Sequence, residues 1–66
     1  MDQASKLEIN GVTFTDAEAW AFAELCKRIG WSECRQNAVD DDEARNMIVA
    51  ASKMQQAVGR AGFTVR

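Results

Sequence analysis

A short turn near the start of the chain constrains the fold most strongly. Asn10 and Gly11 lie between two runs in which apolar and polar residues alternate. Asn-Gly is the strongest short-range signal for a β-hairpin, because both turn residues accept a positive φ. A two-residue turn pairs Ile9 with Val12. The apolar face then consists of Leu7, Ile9, Val12 and Phe14. An isolated hairpin is marginal in water, so we expect a hairpin over about residues 6–14 that packs against a helix.

A capping box marks the start of the first helix. The Thr15 side chain can accept a hydrogen bond from the helix start, and Glu18 can reach back to the cap. Gly30 is expected to end the helix in the left-handed conformation that glycine accepts. The sequence therefore predicts a helix over about residues 16–29. Its apolar stripe consists of Ala21, Phe22, Leu25, Cys26 and Ile29, flanked by Ala17 and Ala19. Trp20 lies nearly opposite the centre of this stripe, which predicts an indole outside the core.

The second half of the chain predicts two more helices. Ser32 can cap a short helical turn over about residues 32–37. A long helix over about residues 41–61 follows, because its apolar residues recur at alternating steps of three and four. This seam consists of Ala44, Met47, Ala51, Met54, Val58 and Ala61, joined by Ile48. The final residues 63–66 alternate and favour a third strand beside the hairpin over simple packing of Phe63 into the core.

Consecutive acidic residues at 40–43 open the long helix. Asp40 is placed to cap the helix and Glu43 to close a capping box. Val39 is placed to pack against Ala44 as a hydrophobic staple. Capping and the helix dipole explain the cluster better than a metal site, because metal loops space their oxygen ligands at alternate positions with a glycine. A docking role toward a basic partner is the second interpretation.

These elements predict an α+β fold in a single domain, residues 1–66, with residues 1–5 disordered. The chain has no histidine and two cysteines, so neither a disulfide scaffold nor a zinc site with four ligands is expected. Cys26 and Cys34 are interpreted as small buried thiols rather than redox groups. No apolar run approaches the roughly 20 residues that span a bilayer, and the chain opens with polar residues, which favours the cytoplasm.

The residue types of the chain do not assemble into a catalytic set. A nucleophile needs a neighbouring base, and the usual base, histidine, is missing. The glycines are not spaced for phosphate binding. We therefore expect a protein that is not an enzyme and needs no cofactor. A net charge of −2 disfavours the alternative of a nucleic-acid-associated accessory protein. That alternative would use Lys27, Arg28, Arg35 and Arg60.

Two features favour binding of another protein. An exposed tryptophan is a common hot spot of protein interfaces. The expected protein-binding residues are Trp20, Ala23, Glu24 and Lys27 from the first helix, with Asp41 and Asp42 from the acidic helix start. The long apolar seam also extends beyond the shorter first helix, which fits an antiparallel homodimer as well as a core within one chain.

The stretch from Ala19 to Asp42 resembles short uncharacterised bacterial proteins of prophages and mobile elements. The resemblance rests on Ala19-Trp20-Ala21, Lys27-Arg28-Ile29-Gly30-Trp31-Ser32, Ala38-Val39-Asp40-Asp41 and the terminal Ala61-Gly62-Phe63. It supplies no catalytic residue. It implies a small protein that occupies a host protein, for example an inhibitor of a restriction or CRISPR defence system.

Overall fold

The computed structural model describes residues 6–65 and has the predicted α+β fold. A hairpin is followed by three helices: β1 Leu7–Ile9, β2 Val12–Phe14, α1 Asp16–Arg28, α2 Trp31–Asn37 and α3 Asp41–Arg60. α1 and α2 both pack against α3, and α1 also contacts β2. The expected disorder of residues 1–5 lies outside the described residues. Within those residues, no helix is long and apolar enough to cross a membrane.

The hairpin has the predicted register. Ile9 pairs with Val12 and Leu7 with Phe14 in an antiparallel ladder. Asn10 and Gly11 have φ values of 50° and 83°, as a two-residue turn requires. Leu7 is buried, whereas Val12 at the tip is exposed. The core therefore contacts Leu7, Ile9 and Phe14, and the predicted apolar face is wrong at Val12 alone.

The core joins the hairpin, α1 and the C-terminal half of α3. Its buried residues are Leu7, Ala19, Ala23, Val58 and Phe63. Phe14 of β2 stacks on Phe22 of α1, with 6.0 Å between ring centroids. This contact and the buried Leu7 hold the hairpin against the first helix.

The buried face of α1 agrees with the predicted stripe at Cys26 and at the flanking Ala19, and Phe22 packs against the core, but other positions differ. Ala19, Ala23 and Cys26 are buried, whereas Leu25 is 54% exposed and Ala21 is also exposed. Buried residues at i, i+4 and i+7 share one face, and small side chains there let two helices approach closely. Small residues thus set the buried face of α1, and the larger Leu25 is left at the surface.

The junction between α1 and α2 also differs from expectation. α1 ends at Arg28, and Gly30 has φ −119° and ψ −174°, which is extended rather than left-handed. The Gly30 N–H donates to the Glu33 carboxylate at 2.7 Å. Gly30 is therefore the N-cap of α2, which begins at Trp31 and not after a Ser32 cap. The Glu33 carboxylate, three residues after Gly30, makes the capping bond that decides where α2 begins.

The acidic start of α3 is capped largely as predicted. Asp40 accepts a hydrogen bond from the Glu43 N–H at 2.8 Å. The Glu43 carboxylate accepts from the Val39 N–H at 2.9 Å, one residue before the expected donor. The staple prediction is wrong, because Val39 is 83% exposed. Its backbone is held by Glu43 while its side chain remains in solvent.

The predicted seam of α3 faces the rest of the molecule. Ala44 and Val58 are buried, while Met47, Ile48, Ala51, Met54 and Ala61 are half-buried. The N-terminal part of the seam is not left without a neighbour, because α2 packs on α3 beside α1. The partial exposure of its middle residues nevertheless shows that the core is thin along this helix.

The end of α3 is a Schellman motif. Gly62 has φ 107°, its N–H donates to the Gly59 carbonyl at 3.0 Å, and the Phe63 N–H donates to the Val58 carbonyl at 3.1 Å. Phe63 and Val58 are both fully buried, as the apolar contact of this motif requires. The prediction of a C-terminal strand is wrong over residues 63–65, because the turn folds Phe63 back onto its own helix.

Candidate functional site

The predicted binding residues of α1 do not all lie at the surface. Trp20 and Lys27 are exposed, and Glu24 is half-buried. These three residues follow one another at i, i+4 and i+7 and so share one side of the helix. Ala23 is only 1% exposed and belongs to the core. Its expected place on a binding surface is wrong, because Ala23 lies on the face that packs inward.

Trp20 is held at the edge of the core. Its ring meets the buried Phe63 ring edge to face, with 5.1 Å between centroids and an interplanar angle of 79°. The tryptophan is nevertheless 45% exposed. An edge-to-face pair of this kind favours one orientation of the two rings. The indole is thus neither buried nor stranded in solvent, because one side of it is fixed by the core.

Asp41 and Asp42 lie far from Trp20. They open α3, whereas Phe63, the contact of Trp20, follows the other end of this helix of 20 residues. A helix of this length spans about 30 Å. The structure therefore does not bring the predicted protein-binding residues into one site. Trp20, Glu24 and Lys27 form one region, which we call the Trp20 face, and the two aspartates belong to another.

Every acidic side chain of the cluster at 40–43 has a partner within the chain. Asp40 and Glu43 accept backbone hydrogen bonds as described above. Asp41 pairs with Arg35 at 2.6 Å, and Asp42 pairs with Arg45 one turn along α3. The described residues contain no group of acidic and cysteine side chains that could hold a metal ion. Helix capping and ion pairing account for the whole cluster.

The basic residues of the nucleic-acid alternative are distributed among separate contacts. Arg28 pairs with Glu24 at 3.0 Å, and Arg35 is bound to Asp41. Lys27 is also engaged in an interaction. Arg60 lies near the far end of α3. These side chains do not form a continuous basic stripe, which is the usual footprint of a nucleic-acid binder.

The two cysteines are free and buried, in agreement with their interpretation as small core side chains. Burial removes water from the Cys26 thiol and raises its pKa, because the thiolate loses its hydration. A raised pKa keeps Cys26 protonated and weakly nucleophilic near neutral pH. The redox interpretation of this residue therefore has no support in its surroundings.

A groove at the C-terminal end of α3 was not predicted from the sequence. Its lining residues are Gln55, Gln56, Gly59, Arg60, Thr64 and Val65, and its volume is about 460 Å³. The distribution of charged residues along the sequence indicates that this end of the chain is basic. All ten acidic residues lie within residues 1–43, whereas residues 44–66 contain four basic residues and no acidic one. The small overall charge conceals this separation.

The fold and these surfaces define a small α+β domain with a half-exposed aromatic side chain fixed at the edge of its core. Residues 1–66, the whole chain, match the family of unknown function DUF7706, and the protein belongs to that family. No curated protein and no solved structure matches the chain. The inference of function therefore rests on the chain's own residues.

Proposed function

We propose that the protein is a non-catalytic module that binds another protein through the Trp20 face. The observation that carries the proposal is the state of Trp20, which is half-exposed while its ring is held against Phe63. A large side chain that is already fixed loses little conformational entropy when a partner covers it. Tryptophan is also among the residues that contribute most to binding energy at interfaces.

The charged neighbours of Trp20 fit the border of such an interface. Glu24 carries a negative charge paired with Arg28, and Lys27 is exposed. Interfaces typically surround an aromatic centre with polar residues that remain accessible to water. The Trp20 face thus has the composition of a small contact region, with its apolar centre supported by the core.

The test compares two tryptophans of equal exposure. Trp20 and Trp31 are each 45% exposed, but Trp31 lies on α2. A tagged protein captures partners from a bacterial lysate, mass spectrometry identifies them, and a purified partner is titrated against each variant. We expect Trp20→Ala to weaken binding by about 2 kcal/mol or more, roughly thirtyfold in Kd, and Trp31→Ala to change it little.

Circular dichroism shows whether each variant is folded before the titration. If Trp20→Ala does not fold, Trp20→Leu retains an apolar contact with Phe63 while it removes most of the indole surface. An unchanged Kd for a folded Trp20 variant would contradict the proposal. Equal losses for Trp20→Ala and Trp31→Ala would also contradict it, because the effect would then not belong to the Trp20 face.

We also propose that the chain forms a homodimer. The half-buried seam of α3, around Met47, Ala51 and Met54, supports this, because a small domain with a thin core gains stability when a second copy covers apolar surface. Sedimentation equilibrium at several concentrations tests it. We expect the average mass to rise from the monomer value toward twice that value. A single monomer mass across the concentration range would exclude the dimer.

The identity of the partner is proposed from the resemblance to proteins of prophages and mobile elements. On this basis the protein acts in the cytoplasm and binds a host protein, for example a component of a defence system. The nucleic-acid alternative predicts retention by DNA that weakens steeply as salt rises. An electrophoretic shift assay at low salt separates the two, because a protein-binding module leaves the DNA band in place.

A further inference from the structure

The groove at the C-terminal end of α3 is a feature that the proposed function does not use. It lies between the last turns of the helix and residues 64–65, which fold back beside them. The Thr64 hydroxyl donates to the Gly59 carbonyl at 3.3 Å and holds this segment in place. A volume of about 460 Å³ is within the range of binding sites for small molecules and short segments.

Polar side chains in the groove are available for a ligand. Within residues 6–65, the amides of Gln55 and Gln56 and the guanidinium of Arg60 make no hydrogen bond or ion pair. The other described arginines differ. Arg28, Arg35 and Arg45 each pair with a carboxylate. Arg60 is thus the arginine whose five donors remain open in this part of the chain.

The charge of the groove lining favours a negative ligand, because Arg60 is its one charged residue. No acidic residue follows Glu43 in the sequence, so the C-terminal half of α3 carries only basic charges, Lys53 and Arg60. The acidic residues at 40–43 lie at the other end of α3, about 30 Å away, which is several Debye lengths at physiological salt. A carboxylate that approaches Arg60 therefore meets no opposing carboxylate from this helix.

We propose that the groove binds an extended, carboxylate-bearing segment of the partner protein. Arg60 binds a side-chain carboxylate of that segment, with the two-pronged geometry that a guanidinium allows. Gln55 and Gln56 bind its backbone, because a primary amide can donate to a carbonyl and accept from an N–H. The Val65 side chain supplies an apolar contact for the aliphatic part of the segment, and Gly59, which has no side chain, leaves room beside it.

The lining favours a peptide over a nucleic acid. Only one of the six lining residues is cationic, whereas nucleic-acid binding draws its affinity from several phosphate contacts. Neutral amides suit the alternating donors and acceptors of an extended peptide. The groove is linked to the Trp20 face along the chain, because Phe63, which contacts Trp20, directly precedes Thr64 of the groove lining. One partner can therefore cover both regions, and in this respect the inference rests on the proposed function.

The test uses isotope-labelled protein and a capped peptide of alternating valine and glutamate. We expect the amide resonances of Gln55, Gln56, Gly59, Arg60, Thr64 and Val65 to shift on titration, together with the side-chain amides of both glutamines. Arg60→Gln should weaken binding about tenfold, the loss expected for one charge-assisted contact. Arg45→Gln is the matched control, because Arg45 pairs with Asp42 at the opposite end of α3.

Several results would overturn the inference. One is the absence of shifts at the groove residues on addition of the acidic peptide. Another is equal binding of a peptide in which lysine replaces glutamate. Shifts produced by inorganic phosphate or oligothymidylate but not by the peptide would assign the groove to phosphate instead. If Arg60→Gln alters the fold, Gln56→Ala replaces it, because Gln56 is exposed and its removal costs no packing.

The outcomes separate this inference from the proposed function. If Trp20→Ala weakens binding of the purified partner and Arg60→Gln does not, the proposal for the groove is wrong and the proposal for the Trp20 face is supported. If the acidic peptide binds the groove and Trp20→Ala leaves the affinity for the partner unchanged, the proposal for the groove is supported and the proposal for the Trp20 face is wrong.

Discussion

The two ends of α3 differ in how their polar groups are used. At the N-terminal end, each carboxylate of the acidic cluster binds an arginine or a backbone N–H of the same chain. At the C-terminal end, Arg60 and the neighbouring glutamine amides have no partner among the described residues, and a half-exposed Trp20 lies against the buried Phe63. The charges of the first end are paired within the chain, whereas polar side chains of the second end have no partner among residues 6–65.

The largest expected difference between the two ends is in apolar packing. Phe63→Ala should destabilise the protein by about 3–5 kcal/mol, because it empties a fully buried ring position. A domain of this size typically has about that much stability, so the variant should lack a cooperative unfolding transition. Val39→Ala at the opposite end should change stability by less than about 0.5 kcal/mol, since Val39 is 83% exposed. Urea unfolding followed by circular dichroism measures both, and similar midpoints would contradict the assigned core.

The backbone at the two glycine positions offers a second comparison. Gly62→Ala should cost about 1–2 kcal/mol, because its φ of 107° is unfavourable for any residue with a Cβ atom. Gly30→Ala should cost less than about 1 kcal/mol, because its backbone is extended and the new Cβ would meet only the flexible Glu33 carboxylate, 3.1 Å away. Thermal unfolding of both variants checks the order. A larger loss for Gly30→Ala would show that Gly30 is the strained position.

Removal of the α3 cap should have a smaller effect. Asp40→Ala should destabilise the protein by about 1 kcal/mol, because the Glu43 N–H loses its acceptor. Asp40→Asn retains a capping oxygen and should remain close to the parent protein. Equilibrium denaturation distinguishes the two substitutions. Equal losses would mean that the negative charge, and not the hydrogen bond, carries the contribution of Asp40.

The smallest expected effect concerns the ion pair between Arg35 and Asp41. Both side chains are largely accessible to solvent, so their coupling energy in a double-mutant cycle should be below about 1 kcal/mol and should fall as salt rises. The partner affinity of Asp41→Asn should stay unchanged if the acidic end has only a structural role. A tenfold loss of affinity for that variant would restore Asp41 to the binding surface.

Much of the fold could be predicted because its signals are local. The Asn-Gly turn, the Thr15–Glu18 capping box and the Asp40 cap each involve residues at most three apart, and the structure confirms all three. The candidate site could be predicted only in part. The exposure of Trp20 is as predicted, but Ala23 is buried and the two aspartates lie at the other end of α3.

The sequence by itself determined the hairpin register, the start of α1 and α3, and the seam that α3 turns inward, because these depend on turn geometry, capping and periodicity. Only the tertiary structure decided which face of α1 is buried and that the chain after Gly62 folds back onto α3. It also decided which polar side chains lack a partner among the described residues. Those features depend on how closely two helices approach and on contacts between residues far apart in the chain, such as Trp20 and Phe63. Small alanines, rather than the larger Leu25, allow that approach, and hydropathy alone does not distinguish these two ways of packing the helix.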